Sequence, residues 1–146
     1  MTFVHATCVA LRQGRNWRAA LLRGPSGAGK SDLALRLIDE GARLVADDQT
    51  RVVRKGRALI ASAPPTLAGR MEVRGIGIVK LPRHQLVTQA SLALLVDLVS
   101  SEKIERMPEP AHEMLEGIAL PLLALDPFEA SACAKLRLAL GRPGAA

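Results

Sequence analysis

Tyrosine is absent from this 146-residue chain, and one tryptophan and two phenylalanines bring the aromatic share to only 2%. A protein that grips single-stranded nucleic acid needs aromatic platforms for the bases, so that class is disfavoured. Cysteine is almost as scarce. Cys8 and Cys133 have neither metal-site nor C-x-x-C spacing, which predicts two reduced, mostly buried thiols of a cytosolic protein. No apolar run approaches the ~18 residues of a membrane span. The opening Met1-Thr2-Phe3-Val4-His5 also lacks the basic start of a secretory signal and reads as structure. Together these absences predict a cytoplasmic protein whose partners are neither nucleic acid nor membrane.

What is present fits one globular domain spanning 1–146, with 143–146 as a frayed tail. Hydrophobic residues make up 49% and charged residues 23%, ordinary values for a chain long enough to bury a core. The net charge is +6 and the pI about 10.1. The arginines are dispersed and form no single block, so the excess reads as affinity for phosphate plus a basic face for a protein partner.

The stretch Gly24-Pro25-Ser26-Gly27-Ala28-Gly29-Lys30-Ser31 organises the rest. It matches G-x-x-x-x-G-K-[ST] without a mismatch. Ala19 to Leu22 before it reads as a buried strand, and Leu33, Ala34, Leu37 and Ile38 after it recur at helical spacing up to Gly41. Strand, glycine loop, helix is the context this motif requires. Glycines let successive backbone N–H groups turn inward around an anion, and the helix N-terminus adds partial positive charge. Lys30 can then reach the β- and γ-phosphates of a nucleotide such as ATP, and the Ser31 hydroxyl can ligate Mg²⁺.

Along the chain, residues 3 to 22 read as a hairpin turning at Gln13-Gly14-Arg15-Asn16. Arg43 to Ala46 is a short strand ending in Asp47-Asp48. Arg51 to Lys55 and Ala58 to Ala63 form a second hairpin, and Thr66 to Arg70 one helical turn. Met71 to Arg74 is extended; Gly75-Ile76-Gly77 then marks backbone that bends or closely approaches something. Ser91 to Val99 is a hydrophobic strand, and Ser101 to Gly117 a loop with one helical turn near His112 to Glu116. Ile118 to Leu122 is a last strand. Asp126 is expected to cap a helix with Pro127 at its first position and Glu129 at its third. Phe128, Ala132, Leu136 and Leu140 would be that helix's buried stripe, with Gly141 and Pro143 ending it. The fold class is therefore α/β and P-loop-containing: a strand-rich sheet with hairpins around one phosphate-binding helix, plus a C-terminal helix.

A phosphate loop needs a carboxylate to hold metal or handle a proton, and two strand ends offer one. Asp97 follows the apolar run Leu92 to Val96. Asp47-Asp48 follows Leu44-Val45-Ala46, one helix after the loop. Neighbours on a strand point to opposite faces, so one of this pair is expected to aim at the γ-phosphate.

Taken in order, His5, Gly24 to Ser31, Leu44 to Asp48, Ala63-Pro64-Pro65 and Met71-Glu72-Val73-Arg74-Gly75-Ile76-Gly77-Ile78 resemble the catalytic domain of HPr kinase/phosphorylase. The resemblance runs from about His5 to Arg106. It implies an ATP- and Mg²⁺-dependent protein-serine kinase acting on an HPr-like phosphocarrier protein, within a hexameric homo-oligomer. Asp48 would be the catalytic carboxylate, taking the serine proton in the kinase direction. In reverse it would return a proton while inorganic phosphate attacks phosphoserine and pyrophosphate leaves. Asp47 would support it or hold water and metal. Ser31 and Glu72 would be Mg²⁺ ligands, Lys30 would offset phosphoryl charge, and His5 and Arg106 would be the family's active-site histidine and arginine. Glu72, Arg74, Gly75 and Gly77 belong to the signature loop.

Two departures accompany the resemblance. The chain starts at the catalytic part, as in short forms that lack the family's N-terminal domain. The family's Pro-Val-x-x-Gly-Arg-Asn stretch, associated with dephosphorylation, has no counterpart in Leu120 to Asp126. That leaves the phosphorylase half open. The rival functions are a small-molecule P-loop kinase and a nucleotide-binding sensor without transfer activity.

Overall fold

The computed structural model describes residues 1–141. In chain order the elements are β1 (Thr2–Val4), β2 (Thr7–Gln13), β3 (Asn16–Arg23), α1 (Lys30–Asp39), β4 (Arg43–Ala46), β5 (Thr50–Lys55) and β6 (Ala58–Ser62). There follow β7 (Arg70–Val73), β8 (Gly77–Lys80), β9 (Gln89–Leu98), β10 (Ala111–Leu115), β11 (Ile118–Leu125) and α2 (Ala132–Leu140). Nine strands make one mixed sheet with the path β1-β5-β6-β9-β3-β2-β4, to which β11 adds beside β9 and β10 beside β11; β7 and β8 form a separate hairpin.

β3 and β9 are parallel neighbours at the centre, with Leu21 opposite Leu95 and Leu22 opposite Val96. Both faces of this pair are covered, which explains their nearly unbroken apolar sequences. Ala20, Leu22, Leu94 and Val96 meet α1 and α2 through Leu33, Leu37 and Leu136. Ala19, Leu21, Leu92 and Leu95 meet Val52, Leu59 and Ala61 of the β5–β6 hairpin. The glycine loop leaves β3 at the carboxyl end of the parallel pair, where open α/β sheets place ligands. Cys8 and Cys133 are free and buried, and burial pushes the Cys8 thiol far above its ordinary value.

The N-terminal segment is two strands, not one. β1 pairs with β5, with Val4 opposite Thr50, and the chain turns at His5-Ala6 before β2 joins β3 and β4. The Thr50 hydroxyl fixes that turn by donating to the Ala6 carbonyl at 3.0 Å. The helical turn expected over Thr66 to Arg70 is a shorter 3₁₀ turn at Pro65–Leu67, and Arg70 already belongs to β7. Residues 111–115, expected in a loop with a helical turn, are instead strand β10, paired with a β11 that runs on to Leu125. A two-residue connection joins them, with φ of 49° at Glu116 and 78° at Gly117. This is the geometry that two-residue hairpins favour. The mixed polar sequence of β10 concealed an edge strand.

The C-terminal helix also differs from expectation. Asp126 does cap a backbone amide, accepting from Phe128 N at 2.9 Å. What it caps is a tight turn, because Ala132 N donates to Glu129 O and the α-helix itself begins at Ala132. Ala132, Leu136 and Leu140 are buried as expected, but Phe128 is 72% exposed and belongs to no helical stripe. Pro143 and the predicted tail 143–146 lie outside the described residues.

Asp126 also accepts from the Ser101 amide and hydroxyl, binding the 101–103 turn to the start of the C-terminal segment. The Ser101 hydroxyl, followed by the Phe128 amide, holds its carboxyl below the usual range. A depressed folded-state value means that this contribution is present above the unfolded pKa and is lost as pH falls through the folded one. Thermal unfolding followed from about pH 6 to about pH 3 should show Asp126→Ala less stable than the parent near neutrality, with the gap closing in acid. A gap that stayed constant would contradict the assignment.

Candidate active site

Lys30 opens α1, and the residue before it, Gly29, adopts φ 97°. Glycine is required there twice over: the backbone is left-handed, and an added Cβ would meet Pro127 Cγ at 3.1 Å and Phe128 Cζ at 3.3 Å. Lys30 is 8% exposed. Its ammonium folds back over the loop, donating to Gly24 O at 2.5 Å and Pro25 O at 3.1 Å. The amides of residues 27–31 sit at the head of α1, where helix polarity favours an anion.

Beside this loop is a cleft of about 800 Å³. Ser26, Gly27, Gly29, Lys30 and Ser31 line it from the loop, and His5, Asp48, Glu72, Arg74, Gly75 and Gly77 from three other segments. Pro25 and Ala28 belong to the loop without lining the cleft; they close its turn through Ala28 N donating to Pro25 O. Arg106 is exposed in the connection before β10 and is not among the lining residues.

Asp47 and Asp48 divide sharply. Asp47 is buried. Its Oδ1 accepts from Thr7 Oγ1 and Ser31 Oγ, both at 3.0 Å, and its Oδ2 accepts from Glu72 N, also at 3.0 Å. Asp48 has φ 64°, and its side chain is 71% exposed, with Oδ1 3.7 Å from His5 Nε2. The register explains this meeting: Val4 opposes Thr50, so His5 and Asp48 flank the same end of the β1–β5 pair.

The β7–β8 hairpin supplies the remaining wall. Met71 is buried against α1 in the main core, and strand alternation sends Glu72 the other way, into the cleft. Ile76 N closes the turn on Val73 O at 3.0 Å. Gly75 and Gly77 have φ of 87° and 116° with open space beside them, so they serve the bend and not a close approach. Among the described residues no group of three or more His, Cys, Asp or Glu forms an ion cage. The Ser31 hydroxyl, held by Asp47, and the carboxylate of Glu72, whose backbone amide Asp47 holds, are hard oxygen donors. A pair of this kind suits Mg²⁺, which takes one or two protein ligands and completes its shell with phosphate oxygens and water.

Asp97, the rival carboxylate, is engaged elsewhere. Arg23 Nε donates to Asp97 Oδ1 at 2.8 Å, while its two terminal nitrogens fork onto Glu113 of β10. This bidentate geometry holds the Glu113 carboxyl below its ordinary range. It also anchors the last residue before the glycine loop. Sequence reasoning missed Arg23 and Glu113, since nothing local marks two residues that the sheet brings together across 90 positions.

The fold and cleft thus define a mixed α/β protein with a glycine loop facing carboxylates. The chain belongs to the family of the HPr Serine kinase C-terminal domain, whose profile matches residues 3–126. A 62-residue stretch is 48% identical to the HPr kinase/phosphorylase of Clostridium tetani, covering 42% of this chain and 20% of that protein. Similarly, 60 residues are 43% identical to the HPr kinase/phosphorylase of Lacticaseibacillus casei, covering 40% and 19%. The matched stretch therefore spans about a fifth of these curated relatives. A solved structure, that of the Hpr(Ser) kinase/phosphatase from Coxiella burnetii, superimposes with a TM-score of 0.82 at 27% identity, over 96% of this chain and 94% of that one. No helix among the described residues is long and apolar enough to cross a membrane.

The two aspartates should separate in stability measurements. Asp47→Ala strips the acceptor from three donors, so denaturant unfolding should show a loss of about 3 kcal/mol. Asp48→Gly relieves left-handed strain while adding chain entropy, and should stay within about 1 kcal/mol of the parent. Equal losses would contradict the division.

Proposed function

We propose that this protein is an ATP- and Mg²⁺-dependent protein-serine kinase acting on an HPr-like phosphocarrier, with the glycine loop as its P-loop. The observation that carries the reading is that Asp48, exposed and beside His5, shares one cleft with Lys30 and Ser31. A base for a hydroxyl and a cradle for phosphates have little use together unless phosphate passes between them. The exposed Ile76 and Ile78 on the lip of the hairpin favour an acceptor hydroxyl carried by a protein over one on a small metabolite.

Asp48 accepts the proton of the acceptor serine as its oxygen attacks the γ-phosphorus of ATP. The new O–P bond forms as the bond to the β–γ bridging oxygen breaks, and ADP leaves. His5 orients the Asp48 carboxylate. The glycine-loop amides align the phosphate chain, and Lys30 exchanges its carbonyl contacts for the phosphoryl oxygens, offsetting their charge. Ser31 and Glu72 would hold Mg²⁺, which when bound neutralises phosphate charge. Asp47 holds the Ser31 hydroxyl directly and Glu72 through its backbone amide. The same carboxylate can return a proton when inorganic phosphate attacks phosphoserine, so the phosphorylase direction requires no further group on this side of the cleft.

Incubation with an HPr-like protein, ATP and Mg²⁺ should yield one phosphoserine on the carrier. Asp48→Asn should lower that rate by about a hundredfold or more while ATP binding persists. Normal turnover by Asp48→Asn together with a dead Asp97→Asn would overturn the assignment. Label appearing on small metabolites and not on the carrier would favour the small-molecule kinase. Tight ATP binding without transfer would favour the sensor.

A further inference from the structure

Phe128 is one of three aromatic residues in the chain and the one that lines the cleft. An isolated exposed phenylalanine needs no explanation by itself. Here the ring is not isolated from structure. It borders Gly29, the last glycine of the loop, with Cζ 3.3 Å and Cε1 3.4 Å from where a Cβ would stand. Its backbone is pinned from two directions. The Phe128 amide donates to Asp126, which Ser101 also grips, and the carbonyl of the buried Pro127 accepts from the Arg36 guanidinium of α1. Arg36 in turn pairs with Asp32, a further residue of the cleft lining, at 3.1 Å. The result is an aromatic ring on a pinned backbone, 72% exposed, at the edge of the glycine loop.

Asp47 ties the Ser31 hydroxyl to the Glu72 backbone, and Ser31, Glu72 and Asp48 all line the cleft. Phe128 borders Gly29 and has no part in those hydrogen bonds. A phosphate chain whose terminal phosphoryl lies among Ser31, Glu72 and Asp48 must lead its inner end past another border of the loop. We propose that Phe128 is the base platform of the site: the nucleoside end of the donor lies along this border, and its purine stacks on the Phe128 ring. The inference rests on the P-loop reading of the glycine loop and adds a specificity determinant to it. Without the ring, the cradle would hold any polyphosphate chain; with it, a nucleoside triphosphate is preferred to a bare one. Stacking suits the task because every purine has a π-face and an aromatic side chain on a fixed backbone has few torsions to order on binding.

Calorimetric titration of the full chain with ATP, and separately with inorganic tripolyphosphate, each with Mg²⁺, tests this without any phosphocarrier. Phe128→Ala should weaken ATP binding about tenfold, the lower part of the range for base–aromatic stacking, and leave tripolyphosphate affinity unchanged. Phe128→Trp should restore ATP affinity, and the added indole fluorescence should be quenched by ATP but not by tripolyphosphate. Equal losses for both ligands in Phe128→Ala would overturn the proposal, because the ring would then only shape the loop. Unchanged ATP affinity would overturn it as well. Parent protein that binds neither ligand would remove the P-loop reading and this inference together. Parent protein that shows the expected ligand discrimination but fails to phosphorylate a carrier would overturn the kinase assignment alone.

Discussion

The Asp47 carboxylate receives hydrogen bonds from Thr7, Ser31 and the amide of Glu72. Those donors come from the start of β2, the first turn of α1 and the small β7–β8 hairpin, segments that also meet in the core through Val9, Leu33 and Met71. A buried carboxylate is tolerable only when its oxygens are satisfied, and the three donors equally need an acceptor. The constraint is therefore mutual. Because it is met by one side chain, the spacing between the head of α1 and the Glu72 strand is set within hydrogen-bond tolerance. Asp47 thereby helps to fix the width of the cleft.

A second fixture acts from below. β3 and β9 are parallel and buried on both faces, which gives the glycine loop a rigid point of departure. Arg23, the last residue of β3, is forked onto Glu113 and bonded to Asp97. The ion group spans β3, β9 and, through β11, the β10 edge. Partly exposed pairs contribute little to overall stability, but a bidentate arginine fixes direction well. Its place directly before Gly24 makes direction the property that matters.

Much of the site could be read from the chain because its signals are local. Strand, glycines, lysine and serine are contiguous, and the hairpin glycines of 75 and 77 announce a bend. Strand alternation leads to the expectation that one of Asp47 and Asp48 aims at the γ-phosphate; in the structure both follow the end of β4, and the turn there buries Asp47 and exposes Asp48. The family resemblance supplied the linkage between these pieces, and the matching profile now covers residues 3–126. Signals spread across the chain were harder. β10 lies on a sheet edge and carries His112 and Glu113, so its hydrophobic alternation is weak, and the Glu116-Gly117 turn was the better clue. Phe128 looked like a helix-stripe residue because Ala132, Leu136 and Leu140 continue its spacing. The helix starts later because Asp126 holds the backbone in a turn and shares its second oxygen with Ser101, which no local pattern reveals.

Why two adjacent aspartates should carry such different work follows from their surroundings. Asp47 accepts three hydrogen bonds, and removing its carboxylate would release the structure those donors support. Asp48 stands in the opposite condition. The turn that follows β4 forces it into left-handed backbone, a conformation with a cost that aspartate bears better than most residues. That turn carries its side chain out of the strand plane to a place where His5 is its neighbour and solvent its main contact. The strain at residue 48 thus accompanies the burial at residue 47: one carboxylate is locked by its donors, and the other stands exposed beside the glycine loop.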